Sequence, residues 1–328
     1  MRTMVRAILV RQTGGPEVLK PEPLELASPR PGEVRVRHQA IGLNYVDTYY
    51  RSGLYPLPEL PSGIGMEAAG VVEEVGPGVQ QLAVGDSVAY ASAPLGAYAE
   101  ARLMPAARVV KLPAGIGPDV AAAAMLKGMP VEYLIRRIHR VKPGETVLWH
   151  AAAGGVGLIA CQWLAHLGVR TIGTVGSDEK AELARKHGCS HTIVYTREDF
   201  VPRVRELTDG RGVPVVFDSV GRATLAGSLD CLAPRGLFVS FGNASGKPEP
   251  LDLGLLTTKG SLFVTRPTLA HYTETREELL SSAGALFDII QSGAVRIAPS
   301  RTWPLEAAAE AHRALESRAT TGSCVLIP

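Results

Sequence analysis

Thr146-Val-Leu-Trp-His-Ala-Ala-Ala-Gly-Gly-Val-Gly-Leu-Ile-Ala-Cys-Gln-Trp-Leu-Ala-His166 is the stretch that decides the fold. It opens as a short apolar strand, 146–149. It then turns through three clustered glycines and continues with Val156, Ile159, Ala160, Trp163, Leu164 and Leu167 at helical spacing. A glycine-rich strand-to-helix turn lets the backbone approach a pyrophosphate closely, and the free N–H groups and positive helix end favour its charge. The plainer reading is a close-packed turn, so the flanking pattern has to decide. Residues 147–169 run for 23 positions without Asp, Glu, Lys or Arg, enough to span a bilayer. His150, Gln162, His166 and the glycines fit a buried strand entering a buried helix better.

Outward from this turn the chain alternates. Strands are expected at 171–175, 191–195, 213–218, 237–241 and 262–264, with helices at 178–186, 199–208 and 222–232. Ser177 suits the cap of the first of these helices and Gly188 its end. Repeated strand-helix-strand units mean an α/β fold with a doubly wound parallel sheet. Upstream the chain is β-rich and punctuated by Gly and Pro, with short strands near 34–38, 71–75, 87–90 and 108–111. Downstream, an Ala-rich helix at 305–316 and a strand at 322–327 break the alternation. The tail is therefore expected to return to the first domain. This gives a β-rich domain from 1–124 plus 298–328 around a dinucleotide-binding domain at 125–297.

Composition narrows the class. A chain of 328 residues holds about two domains. Hydrophobic residues at 46% and charged residues at 20% exclude disorder, and 35 glycines with 24 prolines lack a collagen period. A formal charge of +2 gives no reason to expect nucleic acid or an anionic membrane as partner. Cys161, Cys189, Cys231 and Cys324 are too far apart in sequence for a zinc ribbon or a close-spaced redox pair. The N-terminal residues show no secretory signal, which points to a cytoplasmic protein with free thiols.

Cofactor choice rests on the end of the second strand of the alternating half. NAD sites place an acid about twenty residues beyond the glycines, on the ribose hydroxyls. Here the segment reads Thr174-Val-Gly-Ser-Asp-Glu-Lys180, with small neutral Gly176 and Ser177 and a lysine one helical turn on. Ser177 and backbone donors could bind a 2′-phosphate while Lys180 neutralises it, which favours NADPH. Ser177 as a simple helix cap is compatible with that role.

Gly144-Glu-Thr-Val-Leu148, Ala152-Ala-Gly-Gly-Val-Gly157 and Gln162 together resemble the signature of the quinone oxidoreductase (zeta-crystallin) group of the medium-chain dehydrogenase/reductase superfamily. Gly65-Met-Glu67, Gly70-Val-Val72, Val75-Gly76, Val79 and Gly85-Asp-Ser-Val88 resemble the superfamily's GroES-like catalytic domain. Ile41-Gly-Leu-Asn-Tyr-Val-Asp-Thr-Tyr49, Phe217-Asp-Ser-Val-Gly221, Val239-Ser-Phe-Gly-Asn243 and Val264-Thr-Arg-Pro267 extend the match over nearly the whole chain. Ala165 departs from the signature, in the helix body. Zinc-dependent members have Cys where this chain has Asn44 and His where it has Met66, and no Cys precedes Cys161. The resemblance thus implies catalysis without zinc, with Glu67 as a structural hydrogen-bonding residue.

The resemblance also implies cofactor contacts. Gly154, Gly155, Val156 and Gly157 would lie at the pyrophosphate with Tyr133, and Gly176, Ser177 and Lys180 at the 2′-phosphate with Tyr195 nearby. Asn44, Phe241 and Val264 would lie toward the nicotinamide, Gly242 and Arg266 would also contact the cofactor, and Arg318 would reach in from the tail. Asn44, Tyr49, Tyr55 and Lys127 are the candidates for the catalytic, quinone-facing side, and Arg266 for lining the same cleft, a phosphate or surface contact being its plain alternative. For Tyr49, Tyr55, Tyr133 and Tyr195 ordinary packing is the plain alternative, and for Lys127 a solvated helix position. The implied activity is NADPH-dependent quinone reduction by hydride or one-electron transfer, in a homodimer. Reduction of an enone or alkenal double bond is the near alternative, and single-stranded RNA binding a more distant one. The charge balance and the absence of a basic, aromatic-interleaved stripe argue against RNA.

Overall fold

The computed structural model describes residues 3–328. In chain order the elements are β1 (Thr3–Val10), β2 (Lys20–Leu26), β3 (Glu33–Leu43), α1 (Tyr45–Ser52), β4 (Ser62–Gly63), β5 (Glu67–Val75), β6 (Ser87–Ala91), β7 (Ala101–Pro105), β8 (Val110–Lys111) and α2 (Pro118–Tyr133). Next come β9 (Thr146–Trp149), α3 (Gly155–His166), β10 (Arg170–Val175), α4 (Asp178–Lys186), β11 (His191–Val194), α5 (Phe200–Leu207), β12 (Val213–Asp218), α6 (Leu225–Cys231), β13 (Leu232–Ser240), α7 (Leu253–Thr258), β14 (Phe263–Thr265) and α8 (Leu269–Tyr272). The chain closes with α9 (Arg276–Gln291), β15 (Pro299–Pro304), α10 (Ala308–Glu316) and β16 (Ser323–Ile327).

Two compact units result. One takes in the chain through Met129, Thr273–Gln291 and Ile297–Pro328, and the other Pro130–Tyr272 with Ser292–Arg296. The division falls inside α2 at Pro130, which has no N–H to continue the helix ladder.

The second unit is a six-stranded parallel sheet in the order β11-β10-β9-β12-β13-β14. Order reverses beside β9, the first strand in sequence, so the turns after β9 and β12 flank a topological switch point. Leu148, Ile172, Ile193, Val216 and Phe238 fill one side with Val204 and Leu229. Ala152, Val175, Ala181 and Ala184 pack with Cys161 and Cys189 in a separate cluster. Those two cysteines, far apart in sequence, share this cluster as free thiols, Cys161 Sγ facing the Ala152 carbonyl and Cys189 Sγ the His191 carbonyl at 3.1 Å. The charge-free run 147–169 resolves into β9, the glycine turn and α3, and no described helix is long and apolar enough to cross a membrane.

The first unit is built on a seven-stranded sheet, order β15-β16-β3-β5-β6-β8 with β7 paired to β3, and a three-stranded sheet β2-β1-β4. Val34, Val36, Ile41, Leu43, Val72, Val88, Tyr90 and Met104 form its core with Trp303 and Leu326 from the tail. β16 pairs antiparallel with β3, setting Cys324 opposite Leu43.

Sequence patterning missed α1, α2, α7, α8 and α9 and the strands β1, β2, β4, β7 and β15, and set some ends differently. The helix expected at 222–232 begins at Leu225, because the Asp218 carboxylate takes the Val220 and Gly221 N–H groups and Gly221 sits at φ +93. Thr273–Gln291, inside the sequence-based span 125–297, groups with the first unit. The Arg276 guanidinium donates to the carbonyls of Ala106, Ala107 and Val109, and Leu286 lies so close to Gly128 that a Cβ there would come within 2.3 Å of its Cδ1.

Burial sets a pH response in the first unit. His38 donates from Nδ1 to the Ala99 carbonyl at 2.7 Å and accepts the Tyr90 hydroxyl at Nε2, 2.8 Å. Desolvation lowers it to about 3. The folded state therefore binds fewer protons than the unfolded chain, and its advantage is complete above pH ~6.5 and is lost as pH falls toward the folded value. His38→Gln should remove on the order of 4 kcal/mol of this acid-linked loss, read from urea unfolding midpoints between pH 6.5 and 3. An unchanged pH slope would contradict it.

Candidate dinucleotide and substrate site

The glycine turn after β9 is built by close backbone approach. Ala151 takes a left-handed φ of +55, and Gly154 caps α3 in an extended conformation, donating its N–H to the Ala151 carbonyl at 2.9 Å. A Cβ on Gly157 would lie 2.4 Å from the Ala151 oxygen and 2.6 Å from that of Ala152. Only glycine fits there, and α3 begins with free N–H groups at its N-terminus. A Cβ on Gly242, after β13, would come within 2.5 Å of the Ser219 oxygen, so the turn after β12 and the end of β13 touch through backbone alone.

Behind these turns lies a network that sequence reading did not identify as a unit. His150, fully buried, faces Thr174 Oγ1 at 2.8 Å and Ser228 Oγ at 3.0 Å, and the Ser228 hydroxyl donates to Asp218 Oδ2 at 2.9 Å. Because Ser228 donates to the carboxylate, its oxygen accepts from His150 Nε2–H, and Nδ1 accepts the Thr174 hydroxyl. Burial lowers the imidazole's pKa. The network staples the ends of β9, β10 and β12 beneath the turns that follow them.

After β10 the small residues have partners. Tyr195 places its hydroxyl 2.9 Å from where a Gly176 Cβ would stand, which brings these two candidates together. Ser177 caps α4 by accepting the Lys180 N–H at 3.3 Å, and its hydrogen bond holds the Glu179 carboxyl below its usual range. Arg197 was not anticipated. It pairs bidentately with Asp178 at 2.5 and 2.8 Å, just past Tyr195 at the end of the strand beside β10. Its only sequence signal was that position.

At the far end of the sheet, Arg266 donates to Ser240 Oγ at 2.7 Å and to the Gly242 carbonyl at 3.0 Å. Tyr133 stacks on Tyr272 with ring centroids 4.3 Å apart, and burial raises its phenol against the opposing charge of Arg266. Phe241 packs on Trp149 at 5.7 Å, and Val264 lies in β14, paired with Phe238.

In the first unit the candidates gather around Glu67. This carboxylate, with no exposed surface, accepts the Leu126 N–H at 2.6 Å, the Lys127 ammonium at 3.0 Å and Asn44 Nδ2 at 2.8 Å. Lys127 is buried with it rather than solvated. A Cβ on Gly42 would lie 2.0 Å from the same carboxylate oxygen. Tyr49 and Tyr55 meet edge to face at 5.3 Å. Arg318 follows α10 with φ +59, its N–H donating to the Leu315 carbonyl that Tyr45 also holds.

Parallel strands in this order, with a β-rich unit formed from both chain ends, define a medium-chain dehydrogenase/reductase. Residues 30–114 match the model for the alcohol dehydrogenase GroES-like domain, and 155–282 that for zinc-binding dehydrogenase. A quinone oxidoreductase of Pseudomonas aeruginosa is 55% identical over 99% of this chain and all of its own. The Escherichia coli quinone oxidoreductase complexed with NADPH superposes with a TM-score of 0.97 at 51% identity, over 98% of this chain and all of that one. A 2-haloacrylate reductase of a Burkholderia species is 48% identical over 99% of both. The chain belongs to the quinone oxidoreductase family.

The zinc implied by one model's name does not fit these residues. Glu67 is taken up by the Lys127 ammonium, the Leu126 N–H and the Asn44 amide, and Met66 precedes it. No three His, Cys, Asp or Glu side chains converge as metal ligands among the described residues.

Two stability outcomes follow. Gly157→Ala should cost about 1–3 kcal/mol, since its new methyl meets backbone, whereas Gly154→Ala, with one contact at 3.2 Å, should cost less than half as much; thermal melts compare them. Lys127→Met should cost about 3–5 kcal/mol by stranding the Glu67 charge, and adding Glu67→Gln should recover most of it in a denaturant double-mutant cycle.

Proposed function

We propose that this protein reduces quinones with NADPH and without zinc. Its full-length relatives are named quinone oxidoreductases, and a related structure of near-identical fold is complexed with NADPH. The observation that carries the zinc-free reading is Glu67 held by Lys127, which leaves a neutral amide, Asn44, where a metal-bound alkoxide would need a thiolate.

Bound NADPH supplies a hydride equivalent. The chain binds, orients and shields. Gly154, Gly155, Val156 and Gly157 offer the α3 N-terminus to the pyrophosphate, and Tyr133 lies toward it. Gly176, Ser177, Lys180 and Tyr195 receive the 2′-phosphate, with Arg197 adding a second cation beside Asp178. Phe241, Gly242, Val264, Arg266 and Arg318 hold the nicotinamide half. Asn44, fixed by Glu67, and the Tyr49–Tyr55 pair face the quinone. A quinone is already electrophilic, so placement, exclusion of water and stabilisation of the reduced oxygen suffice. Function divides between 1–124 with 298–328, the catalytic part, and 125–297, the cofactor part. Four buried free thiols suit the cytoplasm. A homodimer is supported by the edge position of β14, where Phe263 is 62% exposed, since such edges are commonly covered by pairing.

The test gives purified protein NADPH or NADH with 9,10-phenanthrenequinone, 1,4-benzoquinone, an enone and a secondary ketone, each with and without chelator. NADPH-dependent quinone reduction indifferent to chelator is expected. Chelator-sensitive ketone reduction overturns the reading, and faster turnover of the enone than of every quinone makes the protein a double-bond reductase. Lys180→Ala should raise KM for NADPH about tenfold and leave that for NADH within twofold, the loss of one charge-assisted contact. Equal effects would remove Lys180 from the 2′-phosphate site.

A further inference from the structure

A buried string of polar groups ends on Asp47, three residues past Asn44, and neither cofactor binding nor the Glu67 pair accounts for it. Arg51 is 2% exposed and donates to Glu316 at 2.6 and 2.8 Å and to His312 Nδ1 at 3.2 Å. A guanidinium cannot accept, so Nδ1 is the acceptor and the ring proton lies on Nε2. Nε2–H then donates to the Tyr98 oxygen at 3.0 Å, and the Tyr98 hydroxyl donates to Asp47 Oδ2 at 2.9 Å. All the protons of the string point one way. Burial holds His312 down to about 3, so this single neutral tautomer persists through the working range.

Asp47 is the terminus and has no exposed surface. Its Oδ2 also accepts the Asn44 N–H at 2.9 Å, while Oδ1 is buried with no hydrogen-bond partner among the described residues. Asn44 is thereby gripped twice, its main chain by Asp47 and its side chain by Glu67 at 2.8 Å. The other groups that bear on Asp47 are Lys127, Glu67 and, on its own helix, Tyr50. Lys127 and Glu67 act on it in opposite senses.

We propose that Asp47 is a positioning residue for quinone reduction: as a carboxylate it locks Asn44 and the first turn of α1, and a proton taken up on its free Oδ1 loosens that grip. Protonation turns Oδ2 into a carbonyl oxygen, and two charge-assisted hydrogen bonds become ordinary ones of roughly half the strength. Asn44 then loses its fixed geometry. Burial pushes the Asp47 carboxyl up to about 7, which places the change in the neutral range. His38 and His312, both near 3, do not titrate there.

The proposal rests on Asn44 facing the reacting groups, and the test separates the two. The holoenzyme is assayed with saturating NADPH and 9,10-phenanthrenequinone from pH 5 to 9, with NADPH affinity followed by fluorescence. Wild-type kcat should fall as pH drops through about 7, with NADPH Kd changing less than threefold. Asp47→Asn should abolish the inflection and hold kcat about tenfold low at pH 8, roughly the loss of one charge-assisted hydrogen bond. Tyr98→Phe removes one donor to the carboxylate and should move the inflection up by about one pH unit, and it decides the matter alone if Asp47→Asn does not fold. An inflection that survives Asp47→Asn, or that Tyr98→Phe leaves in place, overturns the proposal. If Asn44→Ala changes neither kcat nor KM, the reading of the site fails instead, whatever Asp47 does.

Discussion

A carboxylate with no access to water must be neutralised and hydrogen-bonded, or the fold around it fails. Glu67 meets that demand by drawing three elements together. The start of β5 carries it, α2 supplies an ammonium and a main-chain N–H, and Asn44 at the head of α1 supplies an amide. Gly42 on β3 completes the arrangement by having no side chain to displace the acid. The hold on the Asn44 side chain and the burial of Lys127 both follow from one charge. The same arrangement commits to an ammonium and two N–H donors the acid that could otherwise ligate a metal.

The cofactor unit rests on another constraint, the absence of Cβ atoms where backbone meets backbone. Gly157 lets α3 start against the Ala151 and Ala152 carbonyls, and Gly242 lets the end of β13 approach the turn after β12. Underneath, the Thr174, His150, Ser228 and Asp218 network holds three strand ends in register without exposing a charge. The strand ends beside β9 thus meet the N-terminal N–H groups of α3, which suits an anionic ligand.

Much of this was legible beforehand, and the reasons are local. The β9–α3 turn reads from spacing because glycine need and helical periodicity act over a few residues. Ser177 as a cap and Gly188 as a terminator read for the same reason, and Gly188 does adopt φ +90. For Lys127 only the plain alternative, a solvated position, fails, and sequence could not exclude it because its partner lies sixty residues away. α9 escaped notice because its apolar positions answer to neighbours from distant parts of the chain, such as Gly128. Cys161 and Cys189 looked unrelated by spacing, yet strand order sets them side by side.

By itself the sequence determined the alternating α/β half, the glycine cradle, the lack of thiolate and imidazole near Glu67, and through its motifs the family. These depend on residue type and short-range periodicity, which a linear chain displays. Only the tertiary structure decided which polar groups share protons: the tautomer of His312, the direction of the Tyr98 hydroxyl, the unpartnered oxygen of Asp47, and the pairing of Arg197 with Asp178. Hydrogen bonds and desolvation act over a few ångströms between residues hundreds of positions apart, so their outcome exists only once the chain has folded.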